Sequence, residues 1–146
     1  MSIDPYKSGM LQKSPYADKV AVTGEVVAIL DFATNRRGLR LISQPSRAVR
    51  AGEVHELILT GEEQAGPDQE VNDVAYLAFI EFRNAGVLVK GDAVTKNGDF
   101  LGELAGFDET HMPNHQNIVL RGPAKATGVQ IGLQTGDEIS FRMAKS

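Results

Sequence analysis

Seven glycine–acid pairs punctuate this chain, and they constrain its fold more than any other feature of the sequence. Glycine readily adopts the left-handed conformation that tight turns need, and the acidic side chain after it stays in water where a strand begins. Glycine makes up 15 of the 146 residues, against ~7% in an average protein. The chain is therefore expected to consist of many short strands and tight turns. The pairs are Gly24-Glu25, Gly52-Glu53, Gly61-Glu62, Gly91-Asp92, Gly98-Asp99, Gly102-Glu103 and Gly136-Asp137.

Runs rich in β-branched and aromatic residues lie between these turns and predict strands. In Val54–Thr60, residues of one parity are more polar than those of the other, which predicts a half-buried strand. Asn97-Gly98 is the strongest hairpin signal, because both central residues of a type I′ turn need positive φ. Gly24 predicts a bulge or a tight bend in the first run. The other predicted strands cover residues 20–32, 39–42, 87–90, 100–107, 118–121, 129–133 and 138–143.

The segment around residues 73–85 is ambiguous between strand and helix. Asp73 could cap a helix and Gly86 stands where a helix would end. Tyr76, Phe79 and their neighbours prefer strands, however, and the run is apolar on both parities. A long buried strand is the favoured interpretation, with one short helix near residues 73–85 as the alternative.

These signals together predict an all-β fold, a small single-domain β-barrel of short antiparallel strands. Closure into a barrel removes the strand edges that a chain of apolar strands must otherwise protect. The turns G-D-A-V and G-D-E-I resemble one found in many small bacterial barrels. We expect residues 1–19, which are polar and carry two Pro-Tyr pairs, to form a flexible N-terminal arm, and residues 20–146 to form the barrel domain.

Composition excludes several classes of function. The chain has no cysteine, so disulfides, thiolate metal sites and cysteine nucleophiles are ruled out. It has no apolar run near the ~18 residues of a spanning helix and no signal peptide, so we expect a cytoplasmic protein without a membrane partner. Its net charge of −4 argues against a nucleic-acid partner.

The charges are distributed unevenly along the chain. Residues 35–52 contain five arginines and no acid, whereas residues 61–73 contain five acids and no base. The two segments could be solvated loops, or complementary patches that pair between the subunits of a homo-oligomer. A third interpretation is an anion-binding rim, since the planar guanidinium suits carboxylate and phosphate. That interpretation makes Arg36, Arg37 and Arg40 candidate ligand-binding residues.

The candidate chemical site is the polar segment 106–117, G-F-D-E-T-H-M-P-N-H-Q-N, predicted as a loop of about ten residues between two strands, longer than a usual hairpin turn. Long loops at barrel mouths are common places for ligands. His111 or His115 would act as the catalytic acid–base, oriented by Asp108 or Glu109. Asn114 and Asn117 would hydrogen-bond a small-molecule substrate.

A divalent metal such as zinc is an alternative occupant of this segment. Pro113 lies between His111 and His115, so a helical pair of ligands is a poor model, but a loop could still converge both rings on one ion. The remaining alternative is that the polar side chains only satisfy backbone groups of the loop. His55, the third histidine, is interpreted as a structural residue of its strand.

Two functional hypotheses follow. In the first, the protein binds a small ligand at the mouth of the barrel, with or without histidine acid–base chemistry, and the ligand is anionic if the arginine rim takes part. In the second, it is a non-catalytic oligomeric or accessory module whose charged patches and polar loop make subunit contacts. The apolar run from Val74 to Phe82 would then form part of the interface.

Overall fold

The computed structural model describes residues 19–123 and 125–144, in which every regular element is a strand, as the all-β prediction requires. The predicted arm lies outside the described residues, except for Lys19. No helix in this part of the chain is long and apolar enough to cross a membrane. The strands are β1 (Val22–Ile29), β2 (Ala33–Thr34), β3 (Leu39–Arg40), β4 (Ser46–Val49), β5 (Val54–Thr60), β6 (Glu70–Val71), β7 (Val74–Phe82), β8 (Gly86–Val89), β9 (Ala93–Lys96), β10 (Asp99–Asp108), β11 (Asn117–Arg121) and β12 (Glu138–Arg142).

Seven strands form a closed ring. Their order is β1-β12-β9-β10-β11-β5-β7, and β7 pairs again with β1, which closes the ring of hydrogen bonds. The short strand β2 adds to the far end of β7, and two small sheets, β3–β6 and β4–β8, stand beside the ring. Ring closure leaves these seven strands with few unpaired edges, which is how an apolar β-protein avoids edge-to-edge association.

One pairing of the ring departs from the predicted antiparallel arrangement. β11 runs parallel to β5, whereas the other six pairings of the ring are antiparallel. Parallel neighbours need a long connection, and residues 61–116 provide one. The pairing has a direct consequence for the candidate site, because it sets Asn117 opposite Glu56.

Two apolar clusters lie on the two faces of the ring wall. The interior cluster draws residues such as Phe107, Leu57 and Ile118 from all seven strands of the ring. The outer cluster joins the outward side chains of β5, β7, β10 and β11 to Leu39, Leu41 and their neighbours in the covering segments. β5 is consequently buried from His55 to Thr60, so the prediction of a half-buried strand was wrong: covering segments exclude water from its outer face.

The arginine-rich and acid-rich segments meet within the chain. β3 pairs with β6, which sets Arg40 opposite Glu70, and the backbone of Leu41 also bonds that of Gln69. Glu62 accepts hydrogen bonds from the N–H groups of Asn72 and Asp73. The two charged segments therefore fold against each other to form the outer covering layer.

The ambiguous segment is strand β7, so the favoured interpretation is confirmed and the helical alternative is not adopted. Leu77, Ala78 and Ile80 are fully buried. Both parities are apolar because β7 is hydrogen-bonded to β5 and β1 and lies between the interior and outer clusters. The hairpin prediction is also confirmed, with φ of 47° at Asn97 and 91° at Gly98.

Residues 129–133, predicted as a strand, form a turn instead. Ile131 N–H bonds the carbonyl of Thr127, and Leu133 N–H bonds that of Gly128. A Cβ at Gly128 would lie within 1.9 Å of the Leu77 carbonyl oxygen, so only glycine lets this segment pack on the backbone of β7. In β1, the bulge lies between Val26 and Ala28 rather than at Gly24.

Candidate functional site

A row of side chains crosses four neighbouring strands on the outer face of the ring. Asp108 of β10 is opposite Asn117 of β11, and Asn117 is opposite Glu56 of β5. Glu56 in turn is opposite Phe79 of β7. The side chains point outward because their chain neighbours, such as Leu57, pack in the interior cluster.

Asp108 and Asn117 are paired strand residues rather than loop residues, which corrects the predicted loop to residues 109–116. Asp108 Oδ1 accepts hydrogen bonds from Asn117 Nδ2 and from the Thr110 N–H, each at 3.0 Å. Asp108 Oδ2 accepts one from Thr110 Oγ1 at 2.9 Å. Asp108 therefore holds the start of the loop and the amide of Asn117, and it does not orient a histidine as predicted.

His115 lies against this row. Asn114 Nδ2 is 2.9 Å from His115 Nδ1, and an amide nitrogen can only donate, so the ring proton belongs on Nε2. That Nε2 is 3.8 Å from Glu56 Oε1, and the two side chains are 12% and 9% exposed. The Phe79 ring meets the imidazole edge to face, with centroids 5.0 Å apart. The His111 ring lies on the other side at 5.1 Å, so both predicted histidines come together, although only His115 faces the row.

The surroundings of Glu56 and His115 shift their pKa values towards each other. Burial raises the pKa of Glu56 from 4.5 to about 6, with the Arg37 charge acting against the rise and Asp108 adding to it. Burial lowers the pKa of His115 below 6.5, and the nearby His111 and His55 rings lower it further, whereas the Asn117 side chain acts in the opposite direction. A buried carboxyl and imidazole with converging pKa values are typical of a functional site.

Arg37 is the one predicted arginine whose charge acts on Glu56 of the row. Its Nε donates to the Tyr76 hydroxyl at 2.5 Å, on the outer face of β7. Arg36 and Arg40 are exposed to solvent, and Arg40 extends from β3 opposite Glu70. Glu109 is also exposed; it lines an open hollow beside the loop rather than the row.

His55 is held as a structural residue, as the sequence predicted. Its Nδ1 accepts the Gln116 N–H at 2.9 Å, so its ring proton is on Nε2, which is 2.8 Å from Glu53 Oε1. Burial lowers its pKa, although the hydrogen bond to Glu53 acts in the opposite direction. Both ring nitrogens are occupied, which leaves neither for a ligand.

Buried polar atoms that have no hydrogen-bond partner are concentrated in residues 115–117. Six such atoms occur in residues 19–123 and 125–144, and four of them belong to three consecutive residues. They are His115 Nε2, both amide atoms of Gln116, and Asn117 Oδ1. Buried polar groups are normally hydrogen-bonded, so this stretch stands out from the rest of the described residues.

Comparison with known proteins identifies the family. The profile of a family of unknown function, DUF6917, matches residues 16–142, which is most of the chain. The chain belongs to this family. No curated protein and no solved structure matches it.

The described part of this DUF6917 chain contains no group of side chains suited to bind a metal ion. Across the residues that the structure describes, no three histidine, cysteine or acidic side chains are grouped so that they could hold an ion. The zinc hypothesis required His111, His115 and an acid to converge. Asp108 is instead bonded to Thr110 and Asn117, and Glu109 lines the hollow.

Sequence reasoning about this DUF6917 chain missed Glu56. Glu56 is the only acid within the strand V-H-E-L-I-L-T, and an acid in such an apolar run is a signal that could have been noticed. The prediction of a half-buried strand gives Glu56 no functional role. Its partner His115 is far away in the sequence, and only the parallel pairing of β5 with β11 brings them together.

Proposed function

We propose that this protein binds a small polar ligand at the Glu56–His115 pair and exchanges a proton with it. The observation that carries the proposal is the buried Glu56 carboxylate, with a pKa raised to about 6, facing His115 Nε2 at 3.8 Å. A base with a pKa near the working pH is well suited to general acid–base catalysis.

The roles of the two residue types differ from those predicted. Near neutral pH, Glu56 is mostly ionised and acts as the base that accepts a proton from the ligand. His115 is neutral, and its Nε2–H is a hydrogen-bond donor to the ligand. Asn117 Oδ1 supplies the matching acceptor, since Asp108 already holds the other end of that amide. A ligand with neighbouring donor and acceptor groups would satisfy both orphan atoms.

Two further residues support this assignment. Asn114 holds the tautomer of His115 by donating to Nδ1. The positive charge of Arg37 opposes the effect of burial on the pKa of Glu56, which keeps the carboxylate available as a base and favours an anionic ligand.

Within the same proposal, the closed ring supports a small barrel architecture with its site on the outer face. The cysteine-free composition supports a cytoplasmic location.

The proposal is tested by ligand screening with matched variants. A panel of small hydroxy acids, carboxamides and amino acids would be screened at pH 7 by thermal shift, with affinities measured by calorimetry. We expect a hit to lose about 10-fold or more in affinity in Glu56→Gln and in His115→Ala, because each removes one polar contact to the ligand. Glu63→Gln is the matched control, since Glu63 is an exposed acid at the other end of β11, beside Arg121, and it should bind normally. Hits that bind both site variants as tightly as the wild type would refute the proposal.

The alternative is an oligomeric or accessory module, for which the apolar run from Val74 to Phe82 was the expected interface. Six residues of the Val74–Phe82 run are at most 1% exposed within a single chain. An interface would have to use other apolar side chains, of which Phe32 and Val129 are more than half exposed. Sedimentation analysis of the wild type and Phe32→Ser tests this second candidate: a dimer that the substitution dissociates would favour it.

A further inference from the structure

A second candidate site lies beside the loop but apart from the Glu56–His115 pair. It is an open hollow of about 340 Å³, within the size range of small-molecule sites. Its lining combines two apolar side chains, two neutral polar ones and one charge of each sign. The lining residues are Ile42, Gln44, Ser46, Arg47, Ala48 and Glu109. We propose that this hollow binds a small zwitterion, with its carboxylate on Arg47 and its ammonium group on Glu109.

Arg47 has hydrogen-bond donors that no described residue uses. Its Nε is buried and has no hydrogen-bond partner in the described residues. Its NH2 is 3.7 Å from Glu53 Oε1, which is beyond hydrogen-bond distance. Glu53 is already engaged, because Oε1 accepts from His55 Nε2 and Oε2 accepts from the Arg50 N–H at 2.6 Å. The buried Nε is out of reach of a ligand, but the terminal NH1 and NH2 groups form no hydrogen bond among the described residues, so they remain as the paired donors that recognise a carboxylate.

Glu109 provides the opposite charge on the same hollow. Its backbone carbonyl accepts the Met112 N–H at 3.1 Å, which anchors it in the first turn of the loop. Its carboxylate and the Arg47 guanidinium are the charged groups of the lining, so the lining is formally neutral. A phosphate or a simple carboxylate would be attracted by Arg47 but repelled by Glu109 and Glu53. A zwitterion satisfies both signs, and Ile42 with Ala48 provides a short apolar wall for its carbon atoms.

Calorimetry with charge-matched probes tests this proposal. The zwitterions are L-alanine, L-leucine and 4-aminobutyrate, which also vary the spacing of the charges and the apolar part. Propionate and inorganic phosphate have no ammonium group, and propylamine has no carboxylate. We expect at least one zwitterion to bind the wild type. Its affinity should be at least about 10-fold higher than that of propionate, propylamine or phosphate.

Matched variants assign any binding to the hollow. Arg47→Gln and Glu109→Gln should each weaken zwitterion binding about 10-fold, because each removes one of the two charge contacts. Arg40→Gln and Glu63→Gln are controls of the same chemistry on exposed residues outside the hollow, and they should leave the affinity unchanged. Glu109 is exposed, so its variant tests the proposal even if Arg47→Gln fails to fold.

Several results would overturn the inference. One is that none of the three zwitterions binds. Another is that propionate or phosphate binds as well as the zwitterions, which would make the hollow a simple anion site. A third is that Glu109→Gln binds normally. Because the hollow and the Glu56–His115 pair share no residue, Glu56→Gln should retain zwitterion binding, and loss there would assign the ligand to the other site instead.

Discussion

Glu56 is the residue on which the proposed function depends most. A lone carboxylate in a buried strand is costly, and burial accordingly raises its pKa to about 6. Arg37, His115 and Asn117 lie near it, although the residue opposite it on β7 is the apolar Phe79. A residue kept at a cost to stability, beside other polar atoms that lack partners, is best explained by function.

The cost of Glu56 can be measured through the pH dependence of stability. A carboxyl with a folded-state pKa raised above its unfolded value contributes stability below pH ~4.5, and that contribution is lost as the pH rises through ~6. The shift from 4.5 to about 6 corresponds to about 2 kcal/mol. Glu56→Gln should therefore be up to about 2 kcal/mol more stable than the wild type at pH 8, with no such advantage at pH 4.

Urea unfolding at the two pH values measures this difference. Glu63→Gln serves as the control, because Glu63 is an exposed acid of the covering layer and should show no comparable pH-dependent gain. A stability difference for Glu56→Gln that is the same at pH 4 and pH 8 would contradict the raised pKa.

At the level of elements, the site depends on how three strands are paired. The loop 109–116 connects antiparallel neighbours, so Asp108 and Asn117 meet through local geometry. This part of the site was predictable from a segment of twelve residues. Glu56 joins them only through the parallel pair β5–β11, which spans more than fifty residues of chain and has no local signature.

The turn after β11 shows how close backbone packing selects one residue. A Cβ at Gly128 would collide with the Leu77 carbonyl of β7, whereas a Cβ at Gly61 would meet open space. We expect Gly128→Ala to lower the free energy of unfolding by about 3 kcal/mol, because a backbone carbonyl cannot move aside cheaply. Gly61→Ala is the matched control and should change stability little. Chemical denaturation of both variants gives the comparison, and similar stabilities for the two would show that the turn does not pack on β7.

On the scale of the whole molecule, the ring has one interior core and a second core on part of its outside. The outer cluster exists because residues 35–42 and 61–73 fold over β5, β7, β10 and β11. This layer covers Ile58 on the outer face of β5, and it brings Arg37 close enough to act on the pKa of Glu56. The covering layer and the proposed site are therefore linked.

Leu41 is a suitable probe of that link. It is 1% exposed, belongs to the outer cluster and packs against Gly106. Leu41→Ala should lower stability by about 2–5 kcal/mol. Hydrogen exchange should accelerate first in the covering segments, where the amide of Leu41 bonds Gln69 and that of Ile42 bonds Phe107. Leu120→Ala, in the interior cluster, should instead accelerate exchange throughout the ring strands. Uniform acceleration in both variants would show that the outer layer is not a separate unit.

Local sequence alone determined the all-β class, most strand positions, the Asn97-Gly98 hairpin and the grouping of His111, His115, Asp108 and Asn117. These features depend on alternation, turn residues and neighbours along the chain, which act over a few residues. The tertiary structure decided the rest. It set the parallel pair, the outer cluster and the contact between Glu56 and His115, because strand order and burial depend on which distant segments meet. Burial then decided the chemistry, since the same glutamate on an exposed strand would have no reason to titrate near neutral pH.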